Sequence, residues 1–97
     1  MPAVEVSRAR ADRALELSPR VALRPEPFGA LCYHYDTRRL VFLKDRDLVR
    51  VVETLRSHES LTATFDACAI ADSRRTAFAQ AVAALIESEV VRERADG

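Results

Sequence analysis

The chain has 97 residues, of which 48% are hydrophobic and 31% are charged. It is therefore long enough for one folded domain with a modest core and too short for a second domain of useful size. Acidic and basic residues number 15 each, and this balance argues against a dedicated nucleic-acid binder.

No targeting or membrane segment is recognisable in the sequence. The chain nowhere approaches the roughly 20 consecutive apolar residues that a bilayer-spanning helix needs, and residues 1–14 lack the apolar centre of a signal peptide. The two cysteines, Cys32 and Cys68, lie far apart and form no metal-ligand cluster. We therefore expect inert buried thiols, no cofactor and no metal, and a cytoplasmic location.

The N-terminal part of the chain predicts a loosely ordered arm over residues 1–18, where Ala, Arg and Glu are compatible with a helical turn or two. The remainder, residues 19–94, is predicted to be a single domain. Its first strand covers residues 21–24, in which apolar and other residues alternate. Pro25 and the residues after it then predict an extended turn.

A β-hairpin is predicted next, with strands over residues 30–35 and 39–43 and a turn over residues 36–38. Alternation places Tyr33 and Tyr35 on one face of the first strand, where a core role is favoured over a stacking platform for bases. The returning strand is apolar on both faces, and the sequence leaves open which face is buried.

Three helices follow from the spacing of apolar residues, and they cover residues 46–57, 60–69 and 73–88. Asp45 or Asp47 is predicted to cap the first helix and Asp72 the third. Residues 89–92 predict either a short strand or the end of the last helix. The fold class is therefore α+β and winged-helix-like, with a three-stranded antiparallel sheet followed by three helices.

A binding role is predicted, because the sequence offers no nucleophile–base pair and no glycine-rich phosphate loop, so the chain is not expected to be an enzyme. His34 is interpreted as a core or rim residue. The apolar strand edge could accept an extended peptide, with the third helix as the other wall of the groove. Arg74 and Arg75 oppose the dipole of that helix, so either a partner carboxylate compensates them or they point into water.

Residues 24–45, RPEPFGALCYHYDTRRLVFLKD, closely resemble the peptide-chaperone family of the mycofactocin biosynthesis system (mycofactocin biosynthesis protein B). The Arg-Pro-Glu-Pro-Phe-Gly start, the Tyr-His pair and the Thr-Arg-Arg-Leu return carry the likeness. The chain from there to about residue 94 is similar to the helical half of the same family. More broadly, the chain resembles the pyrroloquinoline-quinone synthesis D protein and other recognition elements for ribosomally made, post-translationally modified peptides.

The resemblance implies a non-catalytic chaperone that binds a precursor peptide as an added strand between the third strand and the third helix. It also implies delivery to a radical S-adenosylmethionine (SAM) maturase that modifies the C-terminal Val-Tyr of the peptide. The chain has no Cys-x3-Cys-x2-Cys run, so that enzyme is a separate protein. An apolar edge could also pair with a second copy as a homodimer. Carried onto this sequence, the peptide-binding residues are Arg39, Leu40, Val41, Phe42, Leu43, Arg74, Arg75, Phe78 and Val82.

The competing hypothesis is a winged-helix DNA-binding regulator, in which Arg74 and Arg75 begin the recognition helix. The neutral charge balance, the single lysine and the acidic residues on every predicted helix argue against it. DNA binding predicts a steep loss of affinity with salt, whereas strand addition predicts a shallow one.

Overall fold

The computed structural model describes residues 13–94, which form two small antiparallel sheets and three α-helices. This confirms the predicted α+β class, with a three-stranded sheet followed by three helices. No helix in the described part of the chain is long and apolar enough to cross a membrane. The elements in chain order are β1 (Leu15–Leu17), β2 (Val21–Glu26), β3 (Gly29–His34), β4 (Leu40–Leu43), α1 (Arg46–Thr54), a 3-10 turn (Leu55–Ser57), α2 (Leu61–Ala67), α3 (Asp72–Glu87) and β5 (Val91–Glu93).

The three-stranded sheet has the order β2-β3-β4, with both pairs antiparallel. Strand β2 continues through Pro25, which pairs with Ala30, so the prediction that Pro25 ends this strand is wrong. An edge strand tolerates proline, because the missing N–H can fall on the side that has no neighbour. The turn lies instead at Pro27 and Phe28.

Each helix begins close to its predicted position. The Asp45 carboxylate accepts the N–H groups of Asp47 and Leu48 at 2.8 and 3.2 Å and so caps α1, which settles the choice between the two aspartates. The Ser60 hydroxyl caps α2 in the same way. The N-cap of α3 is Ala71 rather than the predicted Asp72, which is the first helical residue, where a carboxylate still favours the helix dipole.

The core lies between the inner face of the three-stranded sheet and the helices. The inner face presents Ala30, Cys32 and Leu43, all almost fully buried, and α1 packs on it. Both cysteines are buried free thiols, as predicted. The helices complete the core with one apolar stripe each, formed by Leu48, Val49, Val51, Val52, Leu61, Phe65, Phe78, Val82 and Leu85.

The second sheet pairs the two ends of the described chain. Strand β1 runs antiparallel to β5, and Leu15 lies opposite Glu93. Leu15 is buried, and this pair packs beside the 3-10 turn and α1. The predicted N-terminal arm lies mostly outside the described residues. Of its described part, residues 15–17 form a strand where a helical turn was predicted, because their backbone pairs with β5.

Candidate functional site

A β-bulge in the turn between β3 and β4 sets the register of the hairpin. The N–H of Arg38 donates to the carbonyl of His34 at 2.8 Å, and the N–H of His34 donates to the carbonyl of Arg39 at 3.0 Å. Two residues of the returning strand therefore oppose one residue of β3. Arg38 adopts a left-handed backbone with φ of 64°, which is the conformation of the first residue in one common type of bulge.

This register decides where the backbone groups of β4 point. Because the pair at His34 is hydrogen-bonded, the alternation of an antiparallel ladder makes Val41 and Leu43 bond to β3. The N–H and C=O groups of Leu40 and Phe42 then point away from β3. Strand β4 has no second neighbour in the described sheet, so these groups lie on a free edge.

The same alternation separates the side chains of β4 onto two faces. Val41 and Leu43 point inward, where Leu43 is buried and Val41 is partly buried against the core. Leu40 and Phe42 point outward and are 54% and 55% exposed. The sequence did not determine which face of β4 is buried. The structure shows that the inner face is covered and that the outer face is exposed.

Helix α3 begins near the end of β4. Near its first turn, Arg74 pairs with Asp45, which lies two residues after the strand. Near its last turn, Ile86 lines a pocket together with Asp36 and Thr37, which precede the strand. The helix therefore runs from the end of β4 toward the hairpin turn, and the 12 residues from Arg74 to Ile86 span about 18 Å.

The guanidinium of Arg74 is fully engaged within the chain. It donates to the Asp47 carboxylate at 2.7 Å and to the Asp45 carboxylate, and it lies 4.7 Å from the centre of the Phe78 ring. The hydrogen bond to Asp47 and the charges of both aspartates raise the pKa of Arg74 above its ordinary value. The charge that compensates this arginine at the start of α3 therefore comes from the chain itself.

Arg75 is engaged in the same manner by a different set of partners. Its guanidinium forms an ion pair with Asp66 at 2.9 Å and donates to the carbonyl of Ile70 at 2.9 Å. It also lies 5.7 Å from the ring of Phe65. Arg75 therefore joins α3 to α2 and to the connection between them, which is a structural contact.

The structure brings together only part of the predicted peptide-binding set. Leu40, Val41, Phe42 and Leu43 form one strand as expected, and Arg39 is exposed at the bulge beside it. Phe78 and Val82 are 7% and 1% exposed and belong to the closed core. A peptide would reach them only after α3 moves.

One surface was missed by the sequence analysis, namely the outer face of the three-stranded sheet. Tyr33 is half-buried and Tyr35 is exposed on this face, so the core role predicted for the two tyrosines is wrong. The hairpin pairing carries this information. Once one residue of either strand is assigned to the inner or the outer face, the alternation of side chains assigns all the other residues of both strands. We define the outer face by its apolar members, which are Phe28, Leu31, Tyr33, Tyr35, Leu40 and Phe42.

A pocket of about 670 Å³ lies between the hairpin turn and the end of α3. His34 lines it and is buried, as predicted, and its Nδ1 accepts the N–H groups of Asp36 and Thr37 at 3.1 and 3.3 Å. The imidazole therefore supports the turn. Within residues 13–94 no group of three or more His, Cys, Asp or Glu side chains is placed to hold a metal ion.

Comparisons with known proteins agree on one family. The model of the peptide chaperone MftB family matches residues 14–92. The peptide chaperone MftB of Mycolicibacterium smegmatis is 40% identical over 80 residues, covering 82% of this chain and 78% of that protein. The peptide chaperone MftB of Mycobacterium ulcerans is 41% identical over 80 residues, covering 82% and 73%. No solved structure gives a significant match.

Proposed function

The chain belongs to the peptide chaperone MftB family, and we propose that it binds the mycofactocin precursor peptide as an added strand and presents it to a radical SAM maturase. Its relatives are named peptide chaperones, and the chain is accordingly a non-catalytic accessory protein.

The free edge of β4 is the observation that carries the proposal. The backbone groups of Leu40 and Phe42 point outward along this edge, and in the described residues no strand meets them. Unpaired N–H and C=O groups on an apolar strand are a template for another extended chain. Natural sheets usually protect such an edge with charge, and this one carries Leu40, Val41 and Phe42 in a row.

Selectivity would come from the side chains of the bound peptide. In an added strand, alternate residues point inward, toward Val41 and the helix layer, and the others point outward. Backbone pairing supplies affinity with little demand on sequence, while the inward side chains must fit the space beside α3. Arg74 and Arg75 already have carboxylate partners, so we expect little of the affinity to be ionic. Binding should therefore weaken only slightly with salt.

A pair of substitutions at one position tests strand addition. Phe42→Ala and Phe42→Pro both remove the ring, but only proline also removes the edge N–H and places its own ring where the incoming strand would lie. Proline is tolerated there because this N–H does not bond to β3. Measured by isothermal titration with the precursor peptide, the proline variant should bind at least about fivefold more weakly than the alanine variant.

Both variants must keep the amide NMR pattern of β2 and β3, and Val41→Pro is unsuitable because the Val41 N–H bonds to β3. A peptide methylated at alternate backbone nitrogens gives the same test on the unaltered chain. Equal affinity of the two variants, together with undiminished binding of every methylated peptide, would exclude pairing at this edge.

The DNA-binding alternative finds less support. The guanidinium groups of Arg74 and Arg75, which would begin a recognition helix, bond to Asp45, Asp47 and Asp66 instead. Displacing these contacts would cost the stability they give to α3. An amide-resolved NMR titration with the precursor peptide and with duplex DNA, each repeated at high salt, separates the two functions. Salt-sensitive shifts around these arginines, without shifts from the peptide, would favour the regulator.

A further inference from the structure

We propose that the outer face of the three-stranded sheet, which adjoins the peptide edge of β4, is the surface on which the maturase docks. This inference rests on the proposed function, because it assigns a surface to the enzyme partner named there. The occupant is a folded protein whose contact patch is apolar at its centre and acidic at its rim.

The outer face is one continuous apolar patch. Phe28 contacts Phe42, with ring centroids 5.9 Å apart, and Phe42 lies directly opposite Leu31. Tyr33 lies opposite Leu40, and its ring centroid is 5.7 Å from that of Tyr35. Soluble proteins rarely leave so many large apolar side chains together in water, and such a patch with a polar rim usually marks a protein interface.

Arginines frame this patch at both ends and along one side. Arg20 lies 5.8 Å from the ring centre of Tyr35 and forms an ion pair with Asp36 at 2.8 Å, and Arg46 donates to the carbonyl of Pro27, next to Phe28. Arg24 of β2 lies opposite Leu31, so its exposed side chain is on the same face, where it forms an ion pair with Glu26 at 2.9 Å. The net positive charge of this face therefore exceeds what its own carboxylates balance, although two of the three arginines have a carboxylate neighbour. Arginine and aromatic residues are the types enriched where proteins bind one another.

The balanced charge of the whole chain conceals a separation between its two halves. Residues 20–45, which include this sheet, hold five basic and three acidic residues, a net charge of +2. Residues 46–94, which include the three helices, hold seven basic and eight acidic residues, a net charge of −1. The field on the sheet side therefore favours a partner with an acidic rim and steers its approach.

Other occupants fit these observations less well. Two copies meeting face to face would bring two halves of charge +2 together, which opposes a symmetric dimer. A stacking platform for nucleic-acid bases needs flat, accessible rings. The planes of Tyr33 and Tyr35 instead meet at 75° and those of Phe28 and Phe42 at 53°, and the rest of the patch is leucine.

The position of the patch explains how one small domain can serve two partners. A peptide strand added to β4 would turn every second side chain onto the outer face, in line with Leu40 and Phe42. The enzyme would then contact the chaperone and part of its cargo on one surface. Arg24 lies two strands away from the peptide edge, about 10 Å across the sheet. A change there can affect the enzyme without touching the peptide.

The test measures two affinities for each of three variants, using the cognate radical SAM maturase and the precursor peptide as separate probes. Arg24→Glu and Tyr35→Ser, the second at an exposed ring on the side of the sheet away from β4, should weaken binding to the maturase at least about tenfold and leave peptide affinity within about twofold. Arg56→Glu makes the same charge change at an exposed arginine on the helical side, and it should alter neither affinity. Circular dichroism establishes that each variant is folded.

The outcomes separate the inference from the function on which it rests. If the unaltered chain fails to bind the precursor peptide, the proposed function is wrong. If it binds both probes and neither outer-face variant changes maturase affinity, the docking surface is wrong and the proposed function stands. If the variants instead abolish self-association in sedimentation, or binding to single-stranded DNA or anionic vesicles, the occupant is another copy, nucleic acid or lipid, and the inference is likewise overturned.

Discussion

Burial controls the chemistry of the cysteine beneath the three-stranded sheet. Cys32 lies on the inner face, fully buried, and desolvation of the thiolate raises the pKa of its thiol to about 11. The unfolded thiol ionises near pH 9, so the unfolded state binds fewer protons than the folded state between these values. The stability that the neutral thiol supports is complete below about pH 9 and is lost progressively as the pH rises toward 11.

Thiol labelling tests this prediction at the level of one residue. In a Cys68→Ala variant only Cys32 can react, and at pH 8 we expect the folded chain to react with Ellman's reagent at least about a hundredfold more slowly than the chain in urea. The double variant that also carries Cys32→Ala should lose less stability between pH 9 and 11. Prompt labelling of the folded chain would show that the thiol is accessible.

At Gly29 the sequence indicated a turn but did not reveal the main reason why glycine is needed at this position. The sequence suggested a sharp change of direction there, and the backbone does adopt a φ of 148°. The stronger constraint is a neighbour, because a Cβ on this residue would lie 2.0 Å from the carbonyl oxygen of Leu43. That contact joins the first residue of β3 to the last residue of β4, and sequence alone does not reveal it.

At the scale of elements, two helices end without the glycine that their geometry favours. Ala69 follows α2 with φ of 57°, and Glu89 follows α3 with φ of 65°. In both cases the next residue donates to the carbonyl five positions back, which is the Schellman arrangement. A side chain in this left-handed region is strained, and glycine at the same position is not.

Replacing one of these residues with glycine should therefore stabilise the fold. We expect Ala69→Gly to raise the free energy of unfolding by about 0.5 to 1 kcal/mol. Ala84→Gly is the matched control, since it makes the same exposed change inside the right-handed backbone of α3 and should lower that energy by about 1 kcal/mol. Urea denaturation of both variants gives the two signs. A loss of stability in both would mean that Ala69 is not strained.

Elements whose signals are local were predictable, and their partners were not. The hairpin strands, the three helices and the cap of the first helix at one of two aspartates follow from turn residues and apolar spacing within a few positions. The ion pairs of Arg74 join residues 27 and 29 positions apart, so their existence depends on how α3 packs. The position of β4 was therefore predictable from the sequence. The face that β4 buries and the partners of Arg74 and Arg75 were not.

At the scale of the whole molecule, the two ends of the described chain close the fold. Strand β1 pairs with β5, and Arg92 bonds to Glu16 at 2.8 Å across 76 positions of sequence. No local pattern marks a three-residue strand such as Leu15–Leu17, which explains why it was not predicted. Its pairing covers Val91 and connects the start of the domain to the end of α3.

This arrangement makes a prediction about cooperativity. Leu15 is 1% exposed, so Leu15→Ala should remove buried surface and lower the free energy of unfolding by about 2 to 4 kcal/mol. The neighbouring Leu17 is only partly buried, so Leu17→Ala should cost less. Tyr33 lies in the other sheet and Tyr35 in the turn that follows β3, so their fluorescence reports unfolding at a distance from the substitution.

If the domain unfolds as one unit, Leu15→Ala moves the tyrosine transition to lower urea without changing its slope. If β1 and β5 detach first, the tyrosine transition stays in place while amide exchange of residues 15–17 and 91–93 accelerates. The first result would mean that the sheet offering the peptide edge and the outer face owes its stability to the chain ends. The second would confine the effect of Leu15 to the small sheet, and the proposed binding surfaces would then be held by the helices alone.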